Sequence, residues 1–250
     1  MHGFYNLGNT CYFNSAIQAI FSIDALCDEI LNTEIKDGKS FIRAFKDLLY
    51  FYKNQTNPCS INVKPLLEEF QKLYPRFTMF EQHDAQDVLF CIFDIIENEI
   101  PYLKKLFTGS KCQETIYPNG SNKISQDYNI LLLDGHDNDN INQMISNSEK
   151  WNTLTDYVDD KGVKYNVSAT RNVITRVPKI LFISFNSKTR VQIDEIDGYE
   201  LKSSILHIGS HYIAMIKKDN QWYLIDDDKV TMVDFPNISN HHVLIYSMKS

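Results

Sequence analysis

Apolar residues recur at helical spacing through the first hundred positions. Over 13–23, Phe13, Ile17, Ile20 and Phe21 share one face, with Asn9 or Thr10 placed to cap the helix. The pattern returns over 41–53 and 63–73, punctuated by Pro58 and Pro65. It is clearest over 83–98, where Ala85, Val88, Leu89, Ile92, Phe93 and Ile96 oppose Asp84, Asp87 and Asp94. Residues 108–178 are polar. There 134–142 and 146–152 read as loops, and 129–133 and 163–168 as short strands. From 173 the texture becomes β, with strands predicted at 179–185, 202–208, 211–218, 221–227 and 241–248. Lys218-Asp219-Asn220-Gln221 reads as a hairpin turn. Helices first and sheet second predict an α+β fold with a cleft where the two layers meet.

Composition narrows the function classes. A chain of 250 residues, 43% hydrophobic with 15 Phe and 14 Tyr, can build a sizeable core. Net charge −7 and a pI near 5.5 argue against nucleic acid or an anionic membrane as partner and suit a basic segment instead. No apolar run approaches a membrane span, and Met1-His2-Gly3 does not open a signal peptide. Five widely spaced cysteines (11, 27, 59, 91, 112) do not form a disulfide framework and point to a reducing, intracellular compartment, cytoplasmic or nuclear. No Cys-x-x-Cys occurs, and the acidic stretch at 134–140 lacks the closing Glu of a calcium loop.

Cys11 is the residue that asks for chemistry. It stands between a Gly/Asn-rich turn and the start of an apolar helix, where main-chain N–H groups and the helix dipole favour a thiolate. A nucleophilic cysteine needs a base and an orienter for that base. His211 opens one predicted strand and Asp226 closes its hairpin partner, so a turn at 218–221 brings the two together. Asn6 could offer its amide to an oxyanion. Each residue also has an ordinary reading: a core cysteine, a structural histidine, a solvated Asp226–Asp228 turn. His83 is a rival base, but its helix supplies no adjacent orienter.

The surrounding motifs are long and ordered. "GFYNLGNTCYFNSAIQAIF" (3–21) closely resembles the cysteine box of the ubiquitin-specific proteases, which are papain-like deubiquitinating enzymes. "GSHYIAMIKKDNQWYLIDDDKVTMV" (209–233) resembles their histidine box. "FEQHDAQDVLFCIFDIIENEI" (80–100) is similar to the intervening box. "LFTG" (106–109), "VPKILFISF" (177–185) and "HHVLIYSM" (241–248) fall in family order, so the resemblance is faint only from about 110 to 176.

The resemblance implies a single catalytic domain over 1–250. It has a helical thumb-like part (1–107), a reduced fingers-like part (108–172) and a β palm-like part (173–250). It implies Cys11 as nucleophile, His211 as general base, Asp226 as orienter and Asn6 in the oxyanion hole, with Asp227 assisting nearby. Asp84 would pair with an arginine of ubiquitin's C-terminal tail, flanked by Gln82 and His83; a helix cap is the alternative role for Asp84. The expected partner is ubiquitin or a ubiquitinated protein, with no cofactor. The alternatives are the same chemistry on another ubiquitin-like modifier, or a non-catalytic ubiquitin-binding scaffold. The family's two zinc-binding Cys-x-x-Cys pairs are missing, Cys112 alone standing in that region, so no metal is expected. Phe185-Asn186-Ser187-Lys188 replaces the family's Leu-Lys-Arg-Phe, and Ser210 replaces the glycine before the catalytic histidine. The segment from there to the histidine box is cut to about two dozen residues, which predicts an open groove that relies on the tail.

Overall fold

The structure, a computed structural model, describes residues 1–249 apart from 36, 37, 39, 136–138, 187–189, 194, 236 and 237. The chain begins with β1 (Gly3–Phe4), α1 (Cys11–Phe21), α2 (Asp24–Asn32), α3 (Ser40–Asn54), β2 (Ser60–Ile61), α4 (Lys64–Leu73), α5 (Ala85–Glu99) and α6 (Lys104–Phe107). Next come β3 (Gly109–Tyr117), β4 (Gly120–Tyr128), β5 (Ile130–Leu133), α7 (Ile141–Ser148), β6 (Asn152–Leu154), β7 (Tyr157–Val158), β8 (Lys164–Tyr165) and β9 (Ser168–Arg176). The last part holds β10 (Ile180–Phe185), β11 (Val191–Gln192), β12 (Tyr199–Ile208), β13 (His211–Lys218), β14 (Gln221–Asp226), β15 (Lys229–Val233), β16 (Ile238–Ser239) and β17 (His241–Met248).

Seven strands form the main sheet in the order β15-β14-β13-β12-β17-β10-β5, antiparallel except for β5 beside β10. Its central strands are apolar on both faces because both faces are covered. Ile180 and Phe182 of β10, with Val243 and Ile245 of β17, join the core under the helices. Leu181, Ile183, Leu244 and Tyr246 point the other way, against Ile141 and Met144 of α7. Helix α1 is buried along its whole length and packs on β12 and β13. Its N-terminus therefore meets the start of β13, at the seam between helices and sheet.

The four long helices and five late strands lie where the periodicity predicts them. The hairpin does too: Lys218 pairs with Gln221 across Asp219 and Asn220, whose φ values of 50° and 61° are those of a two-residue hairpin turn. The middle region differs. Within the predicted loops lies α7, opened by a capping box in which Asn140 and Gln143 bond each other's main chain. It buries only Ile141 and Met144, with Ile145 partly buried beside them, too little to register as a period. Part of 134–142, including 136–138, lies outside the described residues. β5 (Ile130–Leu133) and the short β8 (Lys164–Tyr165) fall within the two strands predicted there, 129–133 and 163–168, but β3, β4 and most of β9 lie outside any predicted strand. β3 and β4 form a nine-residue ladder from Gly109↔Tyr128 to Tyr117↔Gly120, within a second sheet ordered β4-β3-β9-β6. Both faces of this sheet meet solvent along much of their length, so the strands carry polar residues on both sides and lack alternation.

Candidate active site

The turn before α1 is built by side chains. Asn6 Oδ1 accepts the main-chain N–H groups of Gly8 and Thr10, both at 3.1 Å, and Thr10 Oγ1 accepts Leu7 N–H at 2.9 Å. Gly8 has φ +140°, and a Cβ there would lie 2.6 Å from the Met79 carbonyl oxygen. That close approach lets Asn9 donate to Met79 O (2.7 Å) and Phe80 O (2.6 Å). Thr10 occupies the cap position but makes no side-chain bond into the helix. Phe13 N–H and Asn14 N–H donate to the Thr10 carbonyl, at 3.0 and 2.9 Å, which leaves the Cys11 and Tyr12 N–H groups to the Cys11 side chain.

Cys11 is 3% exposed. Burial pushes its thiol up, the Tyr212, Tyr12 and Cys11 N–H groups pull it down, and the Asp227 charge adds to the rise; the net shift is upward. Desolvation thus works against the thiolate that the helix terminus at this position favours.

The sulfur lies against the N–H of Tyr212, the residue after His211. Because the β13–β14 hairpin turns at 219–220, its two far ends meet, and His211 Nε2 lies 2.6 Å from Asp226 Oδ1. Asp226 thereby fixes the imidazole tautomer with its proton on Nε2, leaving Nδ1 as the basic nitrogen. Both side chains are partly exposed, His211 at 38% and Asp226 at 42%.

Asp227 sits at φ 53°. Its Oδ2 accepts Asn6 Nδ2 at 2.7 Å and its Oδ1 accepts Asn14 Nδ2 at 2.8 Å. Strand β1 braces this turn: Phe4 N–H donates to Asp227 O at 2.8 Å, and a Cβ on Gly3 would lie 2.5 Å from the Asp228 main chain. Asn6 is held at its oxygen by two N–H groups and at its nitrogen by Asp227, so one amide hydrogen remains to point elsewhere.

The residues of the 80–100 box divide. Gln82 Nε2 donates to Ser210 O at 3.0 Å, tying the box to the turn before His211. His83 accepts Thr78 N–H at 3.3 Å through Nε2 and packs on the Tyr12 and Phe77 rings; it has the surroundings of a packing residue. Asp84 caps α5, its Oδ1 accepting Gln86 N–H at 2.8 Å, and the same oxygen lies 2.6 Å from His242 Nε2. Burial pushes the Asp84 carboxyl up, but His242 and the Gln86 N–H outweigh it and hold it below the ordinary range. Asn6, Cys11, His211, Asp226 and Asp227 are thus brought to one seam, with Gln82 and Asp84 beside it.

Three neighbours escaped the sequence reading: Asn14, Tyr212 and His242. Asn14 had a signal, being a buried polar residue inside the apolar run that follows Cys11. His211, Asp226 and Asp227 form the one group among the described residues whose ligand atoms lie mutually within metal reach, 4.8 Å. Both Asp227 oxygens of that group already accept amide N–H groups, from Asn6 and Asn14. All five cysteines are free thiols.

The family model described as ubiquitin carboxyl-terminal hydrolase matches residues 2–197 and 185–246. Ubiquitin carboxyl-terminal hydrolase 4 of Arabidopsis thaliana is 21% identical over 310 residues, covering 93% of this chain and 85% of that one. Ubiquitin carboxyl-terminal hydrolase 37 of Mus musculus is 32% identical over 113 residues, and hydrolase 1 of Arabidopsis thaliana 29% over 112. Each of these two matches covers 42% of this chain and only about a tenth of the relative (11% and 10%). Among solved structures, the SAGA Ubp8/Sgf11/Sus1/Sgf73 DUB module bound to ubiquitin aldehyde superposes with TM-score 0.82 at 18% identity. The match spans 100% of this chain and 70% of that one, which shows the papain-like α+β fold.

Proposed function

The chain belongs to the ubiquitin carboxyl-terminal hydrolase family, and from that premise we propose that it is a cysteine deubiquitinase cleaving the bond after the C-terminal glycine of ubiquitin. The observation that carries this reading is the His211–Asp226 pair at 2.6 Å beside a buried Cys11 thiol at a helix N-terminus. Residues 1–107, 108–172 and 173–250 act as thumb-, fingers- and palm-like parts of one catalytic domain.

In this mechanism His211 Nδ1 removes the Cys11 proton as the sulfur attacks the glycine carbonyl. The remaining Asn6 amide hydrogen and the Cys11 and Tyr12 N–H groups receive the oxyanion. The tetrahedral species collapses, the C–N bond breaks, and the imidazolium gives its proton to the departing amine. Water, deprotonated by His211, then adds to the thioester; the carboxylate leaves and the thiol is restored. Asp226 orients the imidazole and stabilises its charged form. Asp84 and Gln82 line the approach of the tail, with Asp84 offering a carboxylate to an arginine, while His83 supports the segment from beneath. Among the described residues no helix is long and apolar enough to cross a membrane; the five free thiols support a cytoplasmic or nuclear location.

A ubiquitin probe carrying a C-terminal electrophile tests the reading. Peptide mass spectrometry should find one adduct, on Cys11. Cys11→Ala should form none and still bind ubiquitin. Absence of an adduct on wild type, or an adduct on Cys27, Cys59, Cys91 or Cys112, would overturn it.

A further inference from the structure

Asp84 is already engaged in the absence of substrate. Its carboxylate is 43% exposed, and on its buried side it meets His242, whose side chain is 15% exposed, at 2.6 Å. The groups facing His242 come from three elements. Asp84 stands at the cap of α5. His207 on β12 has its ring 5.6 Å away, and Tyr212 on β13 5.5 Å away, with the His207 and Tyr212 rings stacked at 4.2 Å. The Tyr212 hydroxyl also interacts with the Asp84 carboxylate. The main chain of His242 is fixed independently, its carbonyl accepting Ser184 Oγ at 2.9 Å, while Ser184 also bonds Gln86 of α5. Its neighbour His241 points to the opposite face, 2.7 Å from Ser204.

We propose that His242 is a specificity-determining residue that shares Asp84 with a cationic side chain of the substrate. This rests on the reading of Asp84 as a tail-binding residue. Neutral His242 donates one hydrogen bond to Asp84 and leaves the carboxylate its full charge for a guanidinium arriving at the exposed side. Protonated His242 cancels that charge and sets a second cation beside the incoming one in a partly desolvated pocket. Burial pushes the Asp84 carboxyl up, but the His242 contact and charge, with the Gln86 N–H, outweigh it and hold the carboxyl below its ordinary value. Binding of the substrate cation is therefore linked to loss of one proton from His242. By linkage, KM rises as pH falls, by at most about tenfold per pH unit for one proton. Imidazoles as a class change charge between about pH 5 and 8, which sets the window to be tested.

The test compares wild type with His242→Gln, which keeps a donor but cannot be charged, on a fluorogenic C-terminal amide of ubiquitin across that window. Wild-type KM should fall as pH rises, and the variant's KM should stay flat near the wild-type high-pH value. Both should share one kcat–pH profile. Ubiquitin with its tail arginines changed to glutamine should give a flat KM with both enzymes. If His242→Gln does not fold, His242→Asn takes its place. An unchanged slope in the variant, an equal slope with the arginine-free tail, or a flat wild-type KM overturns this proposal alone. No turnover by wild type overturns the deubiquitinase reading and this proposal with it.

Discussion

At the residue scale the site is a set of short polar contacts around one buried thiol. Asn6 carries four of them, to Gly8, to Thr10 through both its N–H and its hydroxyl, and to Asp227, and their unequal importance can be measured. Removing one preorganised oxyanion donor costs roughly 10²–10³-fold in kcat. Asn6→Ala should lose kcat by that order with little change in KM, in steady-state hydrolysis of a ubiquitin C-terminal amide. Asp227→Ala should lose less. Asn6 would keep its two main-chain anchors at Gly8 and Thr10, both 3.1 Å from its oxygen, and lose only the 2.7 Å bond at its nitrogen. Equal losses in both variants would mean that the Gly8 and Thr10 bonds do not orient the amide. The thiol makes a second prediction. Burial raises the Cys11 pKa above its ordinary value, so the reactive thiolate is scarce below it and grows about tenfold per pH unit upward. Alkylation of the resting enzyme by iodoacetamide should therefore climb steadily through neutral pH. A plateau already established below pH 6 would reveal a thiolate–imidazolium pair instead.

At the element scale the start of α5 braces the site. Gln82 reaches Ser210, Asp84 reaches His242 and Gln86 reaches Ser184, so three alternate residues fasten one helix end to the sheet. Asp84 serves both the helix and the groove, and two substitutions separate these roles. Asn is as good an N-cap as Asp, whereas Ala there costs about 0.5–2 kcal/mol. Asp84→Asn should hold Tm nearly constant and raise KM for ubiquitin. Asp84→Ala should raise KM and also lower Tm by a few degrees, about 2–4 °C per kcal/mol in a chain of this size. An Asp84→Asn enzyme with wild-type KM would leave Asp84 as a cap only. Helix α5 itself was legible because Ala85, Val88, Leu89, Ile92, Phe93 and Ile96 all enter one core. The His211–Asp226 pairing was legible because a hairpin of fixed turn sets its two far ends together; that Cys11 joins them was implied by the family resemblance, since only the packing of α1 on β13 brings it there. The His242–Asp84 contact was not, since the two residues stand 158 positions apart and only the stacking of α5 on the sheet joins them.

At the scale of the whole molecule, the question is what holds the middle region together. Cys112 is the one cysteine between 108 and 172, so the second sheet must be held by its own ladders and side chains. Strand β3 is central, paired with β4 on one side and with β9 on the other. Glu114 on β3 binds Lys123 of β4 at 2.5 Å and Arg171 of β9 at 2.6 Å, one ion pair for each neighbour. Arg171 also stacks on Trp151, 4.6 Å from its ring centre. Beyond the ladder, Tyr117, Tyr157 and Tyr165 cluster with ring separations of 4.8, 5.2 and 6.4 Å. Such contacts are worth about 0.5–1.5 kcal/mol per aromatic pair, whereas a structural zinc would supply most of a small subdomain's folding energy. A strong chelator should therefore leave Tm and turnover unchanged, and elemental analysis of the purified protein should find no stoichiometric zinc. Tyr117→Ala, by contrast, should speed hydrogen exchange along β3 and β4 while leaving α1 and β13 protected, because the Tyr117 cluster lies at the end of the sheet far from Gly109. One zinc per chain, or a chelator-induced fall in Tm, would show that a metal holds this region. Loss of protection at α1 together with β3 would show that the two sheets unfold as one unit.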